Sequence, residues 1–78
     1  MAANKNMYKF EIIEAIIKAV DCSSKQQVVS LAARMKDIAL TDDKLSMDIK
    51  KAFKDAYDEL SAEDLTLENI KEIKMMLD

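Results

Sequence analysis

The sequence predicts an all-α protein, a compact four-helix domain with short connections. Three observations support this prediction. Apolar side chains recur at spacings of three and four residues along most of the chain, which is typical of helices that bury one face. Charged side chains recur with a similar spacing on the opposite side, whereas a strand alternates at every second residue. Serine and threonine capping signals separate four such segments, and the 78 residues are expected to form one domain, residues 1–78.

The first helix is predicted over about residues 5–21. Its charged residues occupy the side opposite the apolar face, and Glu14 precedes Lys18 by one turn, the favourable order for an i,i+4 ion pair. The apolar face consists of Phe10, Ile13, Ile17 and Val20, flanked by Ile12, Ile16 and Ala19. We expect this face to contribute to the core.

The second helix is predicted over about residues 24–39. A capping box, in which a serine hydroxyl and a glutamine side chain bind each other's backbone amides, begins it with either Ser23 and Gln26 or Ser24 and Gln27. The apolar stripe of this helix consists of Val28, Leu31, Met35 and Ile38. Two small residues, Ala32 and Ala39, flank the stripe and permit a neighbouring helix to approach closely.

The third helix is predicted over about residues 42–60. Thr41 is its expected N-cap, and Asp42 and Asp43 follow it, where acidic side chains interact favourably with the positive end of the helix dipole. The apolar face of this helix consists of Leu45, Ile49, Ala52, Phe53, Ala56, Tyr57 and Leu60.

The fourth helix is predicted over about residues 66–77, with Thr66 as its cap together with Glu68 and Asn69. Its buried residues are expected to be Ile70, Ile73 and Leu77. The connections of about two to six residues are usual between helices, and no internal repeat is evident. Because the chain has no Gly, we expect each helix to end with Asn, Asp, Ser or Lys in the left-handed position, or without a left-handed residue.

The composition excludes several classes of function. The chain has no His, so it lacks an imidazole base and histidine metal ligands. Without Gly it has no Walker loop, no dinucleotide-binding fingerprint and no EF-hand loop. Acidic residues that are adjacent in the sequence point about 100° apart on a helix and do not converge on one ion. We therefore expect no enzyme activity, no catalytic residues, no cofactor and no metal site.

Cys22 is the only cysteine, so the chain cannot form an internal disulfide. One lone thiol fits a reducing compartment. Because Cys22 precedes the second helix, the positive end of the helix dipole can make its thiol reactive. The interpretation that we favour is a small apolar residue buried under the connection.

The sequence predicts cytoplasmic residence. Charged residues interrupt the apolar stretch near the N-terminus, unlike the core of a signal peptide. No apolar run approaches the ~18 residues that a membrane-spanning helix needs. We therefore expect neither a signal peptide nor an association with the membrane.

The net charge of −3 is unevenly distributed. Residues 1–40 contain six basic and four acidic residues, whereas residues 41–78 contain six basic and eleven acidic residues. We define the acidic segment as residues 55–68, which contains no basic residue. Its acids are Asp55, Asp58, Glu59, Glu63, Asp64 and Glu68. The segment can steer a basic partner toward the chain, although a solvated surface that keeps the protein soluble is the more common reason for such a pattern.

Apolar residues beside the main stripes indicate a protein-binding surface, because flexible methionine side chains suit adaptable contacts. We predict a small helical protein-interaction module, an inhibitor or adaptor that occupies a partner surface, by analogy with accessory proteins of phages and mobile elements. The expected partner is another protein with a basic or apolar surface, or a second copy in a homodimer. The predicted protein-binding residues are Tyr8, Met47, Asp55, Asp58, Glu59, Glu63, Asp64, Met75 and Met76.

Two nucleic-acid alternatives remain open. A helix-turn-helix drawn from residues 24–39 and 41–60 would use four lysines as phosphate contacts. These are Lys44, Lys50, Lys51 and Lys54. The acidic net charge opposes this interpretation, because phosphate neutralisation dominates the affinity for nucleic acids. The second alternative is an acidic mimic of nucleic acid that presents the acidic segment, although a net charge of −3 is small for a mimic.

Overall fold

Four helices make up the fold of residues 5–77, and no strand is present there. The structure, a computed structural model, describes these residues, with side chains from Tyr8 onward. The helices are α1 (Lys5–Ala19), α2 (Lys25–Thr41), α3 (Met47–Ser61) and α4 (Leu67–Leu77). The predicted all-α, four-helix fold is therefore confirmed.

Local side-chain hydrogen bonds start α2 and α4 where the sequence predicts capping. The Ser24 hydroxyl accepts a hydrogen bond from the Gln27 N–H at 3.1 Å, and the Gln27 side-chain oxygen accepts from the Ser23 N–H at 3.1 Å. At α4, the hydroxyl of Thr66 accepts from the Asn69 N–H and the Asn69 side chain accepts from the Thr66 N–H, both at 3.2 Å. The second arrangement is a reciprocal capping box, which satisfies two backbone donors at once.

The third helix begins later than predicted. Thr41 is the last residue of α2, and its hydroxyl donates to carbonyl oxygens one turn back at 3.1 and 3.0 Å, so it is not an N-cap. Asp42, the predicted first residue, accepts a hydrogen bond from the Lys44 N–H at 2.9 Å. Such a local bond competes with helix formation. The observed N-cap is Ser46, whose hydroxyl accepts from the Ile49 N–H at 3.3 Å. The other predicted boundaries lie within two residues of the observed ones.

The two connections that flank α3 have the same geometry, which reveals a short repeat that the sequence analysis missed. Residues 42–46 and 62–66 each begin with an extended residue whose N–H binds a carbonyl three residues earlier. Each continues with a leucine N–H that binds the carbonyl of that extended residue, at 3.2 and 3.1 Å. The matching sequence is Leu-Ser-Met-Asp at residues 45–48 and Leu-Thr-Leu-Glu at residues 65–68, at an offset of twenty.

The backbone conformation at the end of α1 differs from that at the ends of α2 and α3. Cys22 lies beyond it with a φ of 57°, in the left-handed region that Gly usually occupies. Cysteine was not among the residues expected there. By contrast, Asp42 and Ala62 end α2 and α3 with extended backbone, which is the expected alternative.

The core lies between α3 and its neighbours. α2 and α3 form the most extensive helix pair, followed by α1 and α3, whereas α4 packs mainly on α1. Alanines are buried on both α2 and α3, and their small size permits the two helices to approach closely. The buried cluster consists of Ile13, Ile16, Ile17, Cys22, Val28, Ala32, Ala56, Leu60 and Ile70.

Two large apolar residues that were expected in the core are exposed. Phe10 is 52% exposed on α1, and Ile38 is 68% exposed on α2. The apolar residues of α1 extend around more of the helix than its neighbours can cover, because Ile13, Ile16 and Ile17 already occupy the buried side. Each exposed residue leaves an apolar surface that the isolated chain does not bury.

Candidate functional site

An apolar groove lies between α1 and α4, beside α3. Its volume is about 300 Å³. Phe10 and Met76, which are 52% and 85% exposed, lie where the groove meets the solvent. The residues that line this α1–α4 groove are Phe10, Ile13, Glu14, Glu59, Ile73, Met76 and Leu77. Apolar and acidic side chains therefore occur together in its lining.

Helical spacing places the apolar side chains of the groove on facing surfaces. On α1, Phe10 and Ile13 lie three residues apart, and on α4, Ile73 is followed by Met76 and Leu77 at three and four residues. Residues with these spacings share one helix face. Ile13 is buried, whereas Ile73 and Leu77 pack partly against the core. The deeper part of the groove is therefore continuous with the core, and Phe10 and Met76 extend it to the surface.

The charged side chains that line the groove among residues 8–77, Glu14 and Glu59, are both acidic. Glu59 on α3 forms an ion pair with Lys9, with 3.0 Å between Nζ and Oε2. The same Nζ lies 5.0 Å from the centre of the Phe10 ring, within the range of a cation–π contact. Within residues 8–77, Glu14 forms no ion pair, and the predicted pair with Lys18 is absent. Glu14 therefore places a negative charge beside the apolar surface with no ion-pair partner among the described side chains.

A second apolar pocket of about 280 Å³ lies between α2 and α3, and we call it the α2–α3 pocket. The exposed Ile38 lies at its edge, and Leu45 reaches it from the connection between the helices. None of the described residues that line it is charged. Its lining consists of Met35, Ile38, Ala39, Leu45 and Phe53.

The structure brings together only some of the residues that were predicted to bind a partner. Met76 and Glu59 lie in the α1–α4 groove. Met47 and Met75 are each 77% exposed but line neither the groove nor the α2–α3 pocket, and Tyr8 is half-buried. Phe10 was expected in the core, so its place in the groove was not predicted. The signal available in the sequence was the unusually wide apolar face of the first helix.

The acidic segment is partly neutralised by lysines outside it. Asp55 pairs with Lys51 at 3.2 Å and Asp58 pairs with Lys54 at 3.3 Å, both one turn back on α3. These pairs also occupy two of the four lysines considered for phosphate contacts. Glu63 and Asp64 lie exposed in the connection to α4, and the described residues provide no ion-pair partner for them.

Cys22 is fully buried, in agreement with the interpretation that we favoured. Its Sγ lies 3.8 Å from the carbonyl oxygen of Ile17. The Nζ of Lys74 on α4 donates to the same oxygen at 3.1 Å and to the Val20 carbonyl at 2.6 Å. The thiol and the lysine therefore together stabilise the C-terminal end of α1.

Residues 5–77 contain no group of three or more side chains placed to hold a metal ion. In the same part of the chain, no helix combines the length and the apolar character needed to cross a membrane. Comparison with known protein families, curated proteins and solved structures finds no match for this sequence or fold.

Proposed function

We propose that this chain is a protein-interaction module that binds another protein and changes its activity by occupying part of its surface, without catalysing a reaction. The observation that carries the proposal is the α1–α4 groove, in which Phe10 and Met76 remain uncovered. An inhibitor or adaptor of this kind is comparable, by analogy, to accessory proteins of phages and mobile elements. We place it in the cytoplasm, where a lone thiol such as Cys22 stays reduced.

The uncovered side chains supply a driving force for association. An aromatic side chain has about 150–250 Å² of surface, and half of Phe10 is exposed. Burial of apolar surface stabilises a complex by roughly 25 cal/mol per Å², so covering Phe10 contributes about 2–3 kcal/mol before the entropic cost of association. Met76 adds a flexible side chain that adapts to the shape of a partner.

Capture from a lysate of the native organism tests the proposal. The full-length chain is immobilised as wild type and as Met76→Ser, Ile38→Ser and Met75→Ser, and bound proteins are quantified by mass spectrometry. We expect one partner whose recovery falls at least about fivefold with Met76→Ser or Ile38→Ser. Met75→Ser is the matched control, because Met75 is exposed but lines neither apolar surface. If no captured protein depends on either surface, the proposed function is wrong.

Two further measurements separate the competing functions. Light scattering of the purified chain gives a mass near 8.8 kDa if the partner is a different protein, and twice that mass if the chain forms a homodimer. A nucleic-acid binder instead shifts DNA in a gel, with an affinity that falls steeply with salt and depends on Lys50. The ion pairs of Lys51 and Lys54 support protein binding over phosphate binding, because aspartates already compensate these two lysines.

A further inference from the structure

The α1–α4 groove has the form and the charge of a site for a helix, and we propose that it binds a basic amphipathic helix of another protein. This inference rests on the proposed function and deepens it, since it names the site and the chemistry of the partner. The spacing of the apolar residues, the charges at the groove and the contrast with the α2–α3 pocket support it.

The two walls of the groove are helix faces, which suits a third helix. Phe10 and Ile13 present one wall on α1, and Ile73 and Met76 present the other on α4. A helix that binds in such a groove inserts apolar side chains spaced at i, i+3 or i+4, and i+7. Phe10 and Met76 are the most exposed of these wall residues, so an incoming helix buries more of their surface than of the others.

The charges at the groove indicate that the polar face of the incoming helix is basic. Both charged residues in the described part of the lining are acidic, and of these Glu59 forms an ion pair, with Lys9. Glu14 has no ion-pair partner in the described part of the chain. Lysine or arginine residues beside the apolar anchors of the helix can therefore pair with Glu14 and approach Glu59. Complementary charge of this kind selects a partner and speeds its approach.

A second copy of this chain suits the groove less well. A two-fold symmetric contact places the same surface on both sides, so Glu14 and Glu59 of both copies would lie in one interface. Like charges that face each other disfavour a contact. The described lining of the α2–α3 pocket contains no charged residue, so charge identifies no occupant for this pocket.

Two synthetic helical peptides test the inference. Both carry leucines at i, i+3 or i+4, and i+7, and their polar positions are all lysine in one and all glutamate in the other. Binding to the full chain is measured by fluorescence anisotropy at two salt concentrations. The variants are Met76→Ser, Met75→Ser and Glu14→Gln, and circular dichroism confirms that each is folded. Met75→Ser matches Met76→Ser in residue type, exposure and net charge.

We expect the lysine peptide to bind at least about tenfold more tightly than the glutamate peptide, and more weakly at high salt. Met76→Ser should weaken binding about five- to tenfold and Glu14→Gln about twofold to threefold, whereas Met75→Ser should change it less than twofold. The inference is overturned if the lysine peptide does not bind, if both peptides bind equally, or if both serine variants weaken binding equally.

The outcome of the lysate experiment separates a failure of this inference from a failure of the proposed function. If Ile38→Ser abolishes capture of a native partner and Met76→Ser does not, the proposed function still holds. The assignment of the binding site to the α1–α4 groove is then wrong. If Met76→Ser abolishes capture of a partner, a basic helical segment of that partner is made as a peptide. The result supports the assignment only if this peptide binds the wild type and competes with the lysine peptide. Failure of that competition overturns the inference.

Discussion

The side chains of Cys22 and Lys74 stabilise the end of α1, where a protein with no glycine must use another residue in the left-handed conformation. Cys22 adopts a φ of 57°, and a left-handed residue other than Gly costs roughly 1–2 kcal/mol. Burial of its side chain offsets part of this cost. Lys74 satisfies the carbonyl oxygens of Ile17 and Val20, which the helix itself leaves without partners. A lysine near a helix C-terminus also interacts favourably with the helix dipole.

We predict that Lys74→Met destabilises the fold by about 1–2 kcal/mol, because it removes two charge-assisted hydrogen bonds to part-buried carbonyl groups. The free energy of unfolding is measured by urea denaturation. Lys71→Met is the control, because Lys71 is exposed on the same helix. Equal stabilities of the two variants would show that the carbonyl contacts of Lys74 contribute nothing.

The exposed carboxyl group of Asp21 makes stability depend on pH. The side chain of Gln27 and the N–H of Ser23 hydrogen-bond it and hold its pKa below the ordinary value of 3.8. Its contribution to stability is therefore fully present above the pKa of the unfolded chain and is lost as the pH falls through the lower pKa of the folded state.

An NMR titration of the Asp21 carboxyl carbon should therefore give a pKa below 3.8, and Gln27→Met should move it upward because the largest cause of the shift is removed. The control variant is Gln26→Met, since Gln26 is exposed and is not among the groups that lower this pKa. A titration that Gln27→Met leaves unchanged contradicts this explanation.

The connections on either side of α3 show how short local patterns define a helix start. In each, a leucine amide closes a turn and a hydroxyl residue then caps the next helix, Ser46 before α3 and Thr66 before α4. Thr66 has a reciprocal partner in Asn69, whereas the corresponding position after Ser46 is Ile49, which has no side-chain acceptor. The two caps therefore share their geometry but differ in strength.

We predict that Ser46→Ala costs about 1 kcal/mol of stability and that Thr66→Ala costs more, because it disrupts a capping box. Thr41→Ala should cost less than about 0.5 kcal/mol, since the hydroxyl of Thr41 only bonds back to exposed carbonyl groups at the end of α2. Thermal and urea unfolding measure all three. A larger loss of stability for Thr41→Ala than for Ser46→Ala would show that Thr41, and not Ser46, is the effective cap.

Over the whole molecule, fewer acids are available to attract the proposed partner than the composition indicates. Lysines from α1 and α3 compensate Asp55, Asp58 and Glu59, whereas Glu63 and Asp64 are exposed. Exposed ion pairs add little to stability, but they reduce the local negative potential that attracts a basic partner. The connection between α3 and α4 should therefore provide most of the electrostatic attraction that the acidic segment exerts on a basic partner.

We predict that the double variant Glu63→Lys/Asp64→Lys slows association with the captured partner several-fold at low salt and much less at high salt. Association rates are measured by stopped-flow fluorescence. A control in which Lys51 and Asp55 are exchanged preserves both the net charge and the ion pair, and it should leave the rate nearly unchanged. Rates that do not respond to Glu63→Lys/Asp64→Lys argue against steering by this connection.

Interactions within a few residues of the chain could be predicted from the sequence. The number and type of helices and the caps at Ser24 and Thr66 follow from a repeat of 3.6 residues and from hydrogen bonds over three residues. The start of α3 was predicted wrongly because two hydroxyl residues, Thr41 and Ser46, both fit the capping pattern. A turn stabilised by Asp42 decided between them.

The composition of the groove followed instead from how the helices pack. Periodicity shows that Phe10 and Ile38 lie on apolar faces, but the number and position of the neighbouring helices determine how much of each face is covered. The contact of Lys9 with Glu59 and that of Lys74 with α1 join residues about fifty or more positions apart. Such contacts depend on the crossing of helices in space, which local periodicity does not specify.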